Sequence, residues 1–229
     1  MSTTRSTPVG ISVEQLAIAW ARREGAPAGS TIVVGHEVSG RMRLGIPWQP
    51  PPGTSLACAT VLRPALPPEA EDALWVVALV AAARATGARP GWPDLLFDAD
   101  GRQIGAVNLD VQLGPGRIDS AVVSLRVDVP ALAGSGDRRA RAPEAIVDAF
   151  VHHALRAASL AEDTLSAILD EYAGCSSLIG QVVRARLLPK GDARGRATAI
   201  DTQGRLVLES PSGMRERLAP ATVLRVDRI

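Results

Sequence analysis

The sequence predicts an α/β (α+β) fold in which a mixed central sheet is flanked by helices and followed by a small β-barrel. Two observations predict this. Up to about residue 177, strand-like segments alternate with segments whose apolar residues recur at helical spacing. Beyond that point, five short strand-like segments are separated by turns, which is typical of a compact barrel. We therefore expect a larger domain over residues 11–177 and a small barrel domain over residues 178–229.

The first half of the larger domain contains two helices and two strands. The expected elements, in chain order, are a loose, disordered tail over residues 1–10, a helix over Ile11–Arg23, strands over Thr31–Gly35 and Ser55–Leu62, and a helix over Pro67–Thr86. Ser12 is the N-cap candidate of the first helix and Gly25 is its stop. Pro67, Pro68 and Glu69 suit the start of the second helix, where proline loses no hydrogen bond and an acid meets the helix dipole.

The second half extends the sheet and ends in two helices. The expected elements are strands around Leu95, over Ile104–Leu113 and over Ser120–Val129, a connection over Ala131–Pro143, and helices over Pro143–Ser159 and Leu160–Tyr172. The second of these helices is expected to end at Gly174. Gly, Ser and Arg dominate the connection, so we interpret it as a mobile loop.

Composition and charge exclude several classes of protein. With 46% hydrophobic and 21% charged residues, disorder over most of the chain is excluded. A net charge of +1 predicts no nucleic-acid partner. The longest apolar run, Ala73–Ala83, is far shorter than the ~20 residues that span a bilayer, so we expect no membrane partner. Cys58 and Cys175 lie far apart in no metal-binding spacing, and we expect a cytoplasmic protein without a disulfide or a metal site.

A Gly- and Arg-rich loop follows the first strand, in the segment HEVSGRMRLGIPW over His36–Trp48. Glycines let a backbone approach a ligand closely, and guanidinium groups pair with phosphate or carboxylate oxygens. The segment therefore suits an anion site. A solvated surface loop is the commoner role of such a stretch, and the segment alone does not decide between the two.

The segment GWPDLLFDADGRQIG, over Gly91–Gly105, places Asp94 at the edge of a strand. A partly buried carboxylate there can act as a base or hold a cation, whereas the commoner role of such an aspartate is to cap a turn. His152 and His153 are adjacent in a predicted helix and have no acidic or cysteine partner four residues further on. We therefore set a metal site aside.

In their order along the chain, these segments resemble the biotin-protein ligase family. IVVGHEVSGRMRLGIPW and PPGTSLACATVLRP are similar to that family's strand, glycine- and arginine-rich loop and following strand. GWPDLLFDADGRQIGAV resembles its tryptophan-proline-aspartate motif and the strand after it. CSSLIGQVVRARL, GRATAIDTQGRLVLE and VLRV resemble its C-terminal SH3-like barrel. The resemblance covers the chain from about Ser12 to Val226 and implies the family's two-part fold.

The resemblance implies an ATP-dependent ligase. In that family biotin and ATP, with Mg²⁺, give biotinyl-adenylate and pyrophosphate, and a lysine of a biotin carboxyl carrier domain then takes the acyl group. The implied catalytic residues are Arg43, Gln103 and Asp94, with Asp94 matching the aspartate that serves the carrier lysine. The implied binding residues for ATP and biotin are Ser12, Val13, Glu14, Glu37, Gly40, Arg41, Met42, Arg43, Gly45, Trp48, Trp92, Gly105 and Asp128.

The matched positions depart from the family pattern toward negative charge. Glu37 stands where the family has a biotin-binding glutamine, Glu14 lies in the match to its serine-threonine-asparagine signature, and Asp128 replaces an asparagine. Gly91 and Gln103 stand where the family has lysines. Added carboxylates repel a carboxylate substrate unless they are protonated or paired. Loss of one preorganised charge-stabilising group commonly costs ~10²- to 10³-fold in rate.

Three hypotheses about function stay open. The chain is a biotin-protein ligase with impaired or lost activity, or a non-catalytic pseudo-ligase that binds a small ligand, a carrier domain or a ligase partner. The third alternative is an unrelated α/β binding module with an attached barrel. Because family members often pair through the sheet, we also expect a homodimer, with the paired edge within Ile104–Val129.

Overall fold

The protein is represented by a computed structural model that describes residues 3–48, 50, 53–129, 142–158 and 162–229. The strands of its larger sheet are β1 (Thr4–Gly10), β2 (Thr31–Glu37), β3 (Ser55–Leu62), β4 (Arg89–Gly91), β5 (Leu95–Phe97), β6 (Gln103–Gly114) and β7 (Arg117–Asp128). Their spatial order is β1-β2-β3-β7-β6-β5-β4. β1 is parallel to β2 and the other neighbouring pairs are antiparallel, so the predicted mixed central sheet is confirmed.

Strand β1 corrects the prediction of a disordered tail over residues 1–10, because Thr4–Gly10 pairs with β2. Its sequence, TRSTPVG, lacks the polar and apolar alternation that indicates a half-buried strand. As an edge strand it leaves most side chains exposed, so it needs no such alternation. Arg5 joins it to the first helix: its guanidinium carbon lies 3.9 Å from the ring centroid of Trp20, and it pairs with Glu24.

The helices of the described residues are α1 (Val13–Arg23), α2 (Glu71–Thr86), α3 (Pro143–Ala158) and α4 (Glu162–Cys175). They cover the two faces of the sheet. Alternate residues of β7 show which helix lies on which face, since Val122 packs in the cluster of α1 while Val123 and Leu125 pack in the cluster of α2 and α3. A central strand buried on both faces is apolar without alternation, which is the pattern of β7.

Helix α2 is buried on nearly all sides, which explains its run of apolar residues. One 3₁₀ turn, Pro68–Ala70, precedes it, and the left-handed Gly87 ends it. The expected helices after residue 143 are present as α3 and α4, and α4 ends at Cys175, three residues beyond Tyr172. The predicted loop over Ala131–Pro143 lies outside the described residues except for its last two.

The five strands predicted for the C-terminal region are present and form a separate antiparallel sheet. Its strands are β8 (Val182–Leu187), β9 (Asp192–Ile200), β10 (Leu206–Glu209), β11 (Arg215–Leu218) and β12 (Val223–Arg228), in the order β11-β10-β9-β8-β12. Alternate residues of β8 and β9 are buried, including Val183, Ala185, Ala193 and Ala197. The residues between them point outward and are mostly arginine.

The two sheets are joined by specific hydrogen bonds. Trp92 Nε1 donates to the carbonyl oxygen of Gly204 at 3.0 Å, and Arg205 pairs with Asp72 at the start of α2 at 2.8 Å. A Cβ on Gly204 would lie 2.5 Å from the carbonyl oxygen of Asp72, so only glycine permits this approach. The turn between β9 and β10 is therefore fitted against the larger domain.

The predicted sheet edge over Ile104–Val129 needs correction. β7 lies inside the sheet between β3 and β6, so it presents no edge. β5 pairs with β6 only from Gln103 to Ala106, and among the described residues no strand lies beside the outer half of β6, from Asn108 to Gly114. Within the predicted range Ile104–Val129, the unpaired strand edge is therefore confined to the outer half of β6.

None of the helices in the described ranges is both long and apolar enough to cross a membrane.

Candidate functional site

The loop after β2 directs its two arginines to different places. Leu44 and Gly45 both have positive φ angles, 60° and 72°, and close a single 3₁₀ turn. Arg41 is exposed and donates to the carbonyl oxygen of Gly45 at 3.0 Å. Arg43 is buried and turns toward the C-terminal sheet. Of the two arginines at positions that match ligand-binding arginines, Arg41 therefore lies at the surface and Arg43 in the interior.

Arg43 joins the loop to both domains. Its Nη1 donates to the carbonyl oxygens of Pro220 and Val223 at 3.0 and 2.6 Å, and its Nη2 donates to that of Leu224 at 3.2 Å. Its Nε lies 3.2 Å from Asp94 Oδ1, and the side chains of both residues are 7% exposed. The guanidinium is therefore committed to the domain junction, whereas the resemblance implies contact with an adenylate.

Asp94 immediately precedes β5 and lies beside a cleft between the two domains. Burial raises the pKa of its carboxyl group, and the charge of Arg43 offsets part of that increase. The alternative role of capping a turn belongs instead to Asp98, whose Oδ1 accepts hydrogen bonds from the backbone N–H groups of Asp100 and Arg102. Asp94 thus keeps the burial expected of a proton-transfer group, but with an arginine as its partner.

The cleft has a volume of about 780 Å³ and is lined from both domains. Gln103 is exposed in its wall, with Nε2 3.7 Å from the Sδ atom of Met42. Gly91 lies beside it, and a Cβ there would be 2.3 Å from the ring of Phe97. Phe97 therefore takes the space that a lysine side chain at position 91 would need to enter.

A second group of matched residues meets on the α1 face of the sheet, around Arg126. Arg126 lies on β7 and is 1% exposed. Its Nε and Nη2 donate to Glu37 Oε2 and Oε1 at 2.8 and 3.0 Å, and its Nη1 donates to Ser124 Oγ at 3.2 Å. The Glu37 side chain is only 4% exposed. The pair is a bidentate ion pair inside the domain, the arrangement in which arginine binds a carboxylate most strongly.

Helix α1 supplies the remaining members of this cluster. The backbone N–H of Val13 donates to Glu37 Oε1 at 2.7 Å, while Ser12 caps the helix weakly through Gln15 at 3.5 Å. Asn108 Nδ2 donates to Glu14 Oε1 and Oε2 at 2.8 and 2.9 Å. Burial raises the pKa of Glu14, and Arg126 and Asn108 offset part of the increase. Glu37 is thus paired with Arg126, so the repulsion of a carboxylate ligand that its sequence position suggests is offset.

The other matched residues lie around these two sites. A Cβ on Gly40 would meet Glu37 Oε2 at 2.7 Å, so this glycine makes room for the buried pair. A Cβ on Gly105 would meet the carbonyl oxygen of Arg126 at 2.6 Å, so glycine there lets β6 lie close to the backbone of β7. Trp48 is half-buried near the loop. Trp92 is 3% exposed and serves the domain junction. Asp128 pairs in register with Ser55 at the end of β7.

Sequence reasoning missed Arg126, Asn108 and Phe97. Arg126 lies in the apolar strand SAVVSLRVDV, in which a charged residue at a central position is itself unusual. Two acids at matched positions that need a partner, Glu14 and Glu37, are the signal from which a buried cation could have been inferred. Asn108 and Phe97 carry no comparable signal.

No cluster of three His, Cys, Asp or Glu side chains that could hold a metal ion occurs in the part of the chain that the structure describes. His152 and His153 lie on α3 with ring centroids 5.4 Å apart at 72°. Burial lowers the pKa of His153, and the charge of Arg84 lowers it further.

Comparison with known proteins gives matches of two kinds. The sequence profile described as the biotin protein ligase C terminal domain matches residues 178–220. No curated protein sequence matches the chain. The biotin protein ligase from Aquifex aeolicus in complex with biotin and ATP has a TM-score of 0.69 at 14% identity, with 100% of both chains covered.

Two further solved structures agree with this. A biotin protein ligase-like protein of unknown function from Silicibacter sp. TM1040 has a TM-score of 0.69 at 19% identity, over 96% of this chain and 95% of that one. The biotin acetyl coenzyme A carboxylase synthetase from Helicobacter pylori, with bound biotinylated ATP, has a TM-score of 0.63 at 17% identity, over 95% and 100%. The chain therefore has the fold of these structures, and residues 178–220 match the profile of the biotin protein ligase C-terminal domain.

Proposed function

We propose that this chain is a non-catalytic member of the biotin-ligase fold that binds a partner or a small ligand and does not activate biotin. The observation that carries the proposal is the buried ion pair of Arg126 and Glu37. Glu37 stands where the resemblance places a biotin-binding glutamine, and Val13, at another matched position, donates its N–H to the same carboxylate. A pair that is already fully hydrogen-bonded has little to gain from a carboxylate ligand.

The residues of this cluster do not fit biotin. Glu37 and Arg126 fill the space between α1 and the sheet, and the two side chains are at most 4% exposed. The single cation of the cluster is neutralised by Glu37, and Glu14 adds a second carboxyl group. A biotin carboxylate placed here would displace a bidentate pair and meet a second acid, so binding is disfavoured on both counts.

At the matched positions the cleft lacks the cations that the family uses for the phosphates of ATP. The two lysine positions of the family are Gly91 and Gln103, and the Phe97 ring lies against Gly91. Arg43, the nearest buried cation, is held by three carbonyl oxygens and Asp94. Charge that develops on phosphorus in adenylation needs preorganised cations, and the matched positions supply none that is unengaged. Arg89, Arg225 and Arg228 also line the cleft, at positions that the resemblance does not assign to ATP.

One observation favours the alternative, an ATP-dependent ligase that acts on another acid. Asp94 is a buried carboxyl group with a raised pKa at the wall of a cleft, as expected of a base. In that case Asp94 would accept a proton from the amine that attacks an acyl adenylate. Its ion pair with Arg43 weakens this alternative, because a cation beside the carboxylate makes it a weaker base.

The deciding experiment combines binding with turnover. We expect calorimetry to give no biotin binding at a Kd tighter than about 1 mM. ATP–pyrophosphate exchange should be absent with biotin, lipoate and octanoate as acids. Exchange with biotin would refute the proposal, and exchange with another acid would establish the alternative. A control tests whether the ion pair itself blocks biotin. Arg126→Ala combined with Glu37→Gln removes the pair, and recovery of biotin binding in that variant would support the pair as the cause of the lost binding.

We also propose that the chain forms a homodimer through the outer half of β6. Val107 donates its N–H to the carbonyl oxygen of Asp94, so the N–H groups of Leu109 and Val111 point to the same outer side. Leu113 is 53% exposed on that edge. A carrier domain stays a candidate partner, and a cytoplasmic location stays a prediction.

A further inference from the structure

The outward face of the C-terminal sheet carries an excess of positive charge that is not evident from the net charge of the whole chain. Residues 178–229 contain ten basic and five acidic residues, whereas the net charge of the whole chain is +1. The rest of the chain is therefore acidic. We define the arginine face as the outward side of β8, β9, β11 and β12 that bears Arg184, Arg186, Arg194, Arg196, Arg215 and Arg225.

Strand register proves that these arginines share one face. Arg184 lies directly opposite Arg194, and Arg186 lies opposite Arg225 on its other side. Directly opposed residues of antiparallel strands point to the same side of the sheet, and like charges so placed are destabilising. Two such pairs on adjacent strands are hard to explain by folding alone.

Three of the arginines are neutralised on the face itself. Arg184 pairs with Asp192 at 2.6 Å, and Arg215 and Arg225 pair with Glu209 and Asp227, each at 2.9 Å. The remaining three form what we call the open stripe: Arg186, Arg194 and Arg196. Within the described residues, Arg186 and Arg194 make no hydrogen bond or ion pair. Arg196 donates to the carbonyl oxygen of Gly180, and the carboxylate directly opposite it, Glu209, pairs with Arg215.

The open stripe has a regular spacing. Arg194 and Arg196 are alternate residues of β9, which places them about 6.6–6.8 Å apart along the strand. Arg186 is diagonal to Arg194 across β8 and β9, at about 7–8 Å. The charge of the stripe acts on a neighbouring carboxyl group. Arg184 lowers the pKa of Asp192, and the charges of Arg194 and Arg186 lower it further.

We propose that the open stripe docks an extended acidic segment of a protein partner. Alternate side chains of an extended segment that point to one side are also about 6.6–6.8 Å apart, so successive carboxylates match successive guanidinium groups. Each guanidinium can accept one carboxylate in a bidentate pair. Val182, 42% exposed and paired in register with Arg196, supplies an apolar contact in the same row.

A nucleic acid is the less favoured occupant. Residues 178–229 contain no Phe, Tyr or Trp, so bases have no aromatic surface on which to stack. Asp192, Glu209 and Asp227 lie on the same face and break the continuous positive surface that a phosphate backbone prefers. The combination of arginine with an exposed aliphatic side chain is instead typical of protein interfaces.

The test measures binding of fluorescent probes to the whole chain at about physiological ionic strength. The probes are a peptide of alternating Glu and Thr, a peptide of the same composition with its Glu residues in one block, duplex DNA, and single-stranded RNA. We expect the alternating peptide to bind at least severalfold more tightly than the block peptide. Arg186→Gln with Arg194→Gln should weaken its binding about tenfold to hundredfold, since two charged hydrogen-bonding partners are lost.

A matched control removes the same charge from the same face. Arg215→Gln with Arg225→Gln lowers the net charge by the same amount and keeps all three arginines of the open stripe, although it frees Glu209, which lies opposite Arg196, and Asp227. Binding should therefore weaken clearly less than in Arg186→Gln with Arg194→Gln. Melting curves check that both variants fold, and the single change Arg194→Glu provides a second test should the first variant be unstable. Equal loss in both variants, equal binding of the block peptide, tighter binding of either nucleic acid, or no binding at all would overturn the proposal.

Discussion

Arg126 donates two hydrogen bonds to the carboxylate of Glu37 inside the larger domain, at 2.8 and 3.0 Å, where both side chains are almost fully buried. The pair connects β7 to the end of β2, and Val13 adds a backbone hydrogen bond from the start of α1. Three elements thus meet at one carboxylate. The position that resembles a ligand-binding glutamine has therefore become part of the internal support of the domain.

Glu37→Gln should destabilise the protein by about 3–5 kcal/mol, because it leaves the buried charge of Arg126 without a counter-ion. Urea unfolding measures this loss. The control is Glu24→Gln, which breaks the exposed pair with Arg5 and should change stability far less, because solvent screens that pair. A loss below about 1 kcal/mol for Glu37→Gln would mean that the pair is not a main support of the domain.

Glu14→Gln should change the pH dependence of stability in a defined direction. Burial raises the pKa of Glu14 above its ordinary 4.5. At a pH between 4.5 and the raised pKa, the folded state holds a proton that the unfolded state has released. Stability contributed by this group is therefore lost as pH rises through that range. The stability of Glu14→Gln relative to wild type should increase as pH rises above about 4.5, as measured by urea unfolding at each pH.

The sign of this effect has an internal control. The hydrogen bond from Arg5 lowers the pKa of Glu24, so Glu24 contributes stability that is lost as pH falls. Glu24→Gln should therefore change the profile in the opposite direction to Glu14→Gln. Parallel changes in the two variants would contradict the assignment of Glu14 as a carboxyl group with a raised pKa.

The order of motifs made the fold predictable, while the site depended on contacts that no motif encodes. Apolar periodicity located α2 and β7, because both are buried on more than one side. It failed for β1, an exposed edge strand held by pairing and by Arg5. It also failed for Arg126, since the partner that makes a buried arginine tolerable is 89 residues away in sequence. The sequence alone does not give that register.

Arg43 and Arg41 offer a matched comparison within one loop. Arg43→Ala removes three hydrogen bonds to the C-terminal sheet and leaves Asp94 unpaired, so we expect a loss of about 3–5 kcal/mol. Hydrogen exchange over Pro220–Leu224 should also accelerate. Arg41→Ala removes one exposed hydrogen bond and should change stability by less than about 0.5 kcal/mol. Similar small effects in both would indicate that Arg43 does not join the domains.

Restoring the two lysines should not restore adenylation. Gln103→Lys is free of obstruction because Gln103 is exposed, whereas Gly91→Lys must displace the Phe97 ring. The Arg126–Glu37 pair remains in either case. We therefore expect no biotin-dependent pyrophosphate release from the double variant, nor after Phe97→Ala is added to make room. Measurable turnover in the triple variant would show that the site is degenerate and not reshaped.

The dimer edge can be tested at one backbone N–H group. Val111 lies on the outer half of β6, and its N–H points away from β7, so proline there removes an outward donor without removing a β6–β7 hydrogen bond. Sedimentation equilibrium should give a dimer for wild type and a monomer for Val111→Pro. Val111→Thr, which keeps the N–H and the β-branched shape, should remain a dimer. A monomeric wild-type protein, or a dimer that persists in Val111→Pro, would rule out pairing through this edge.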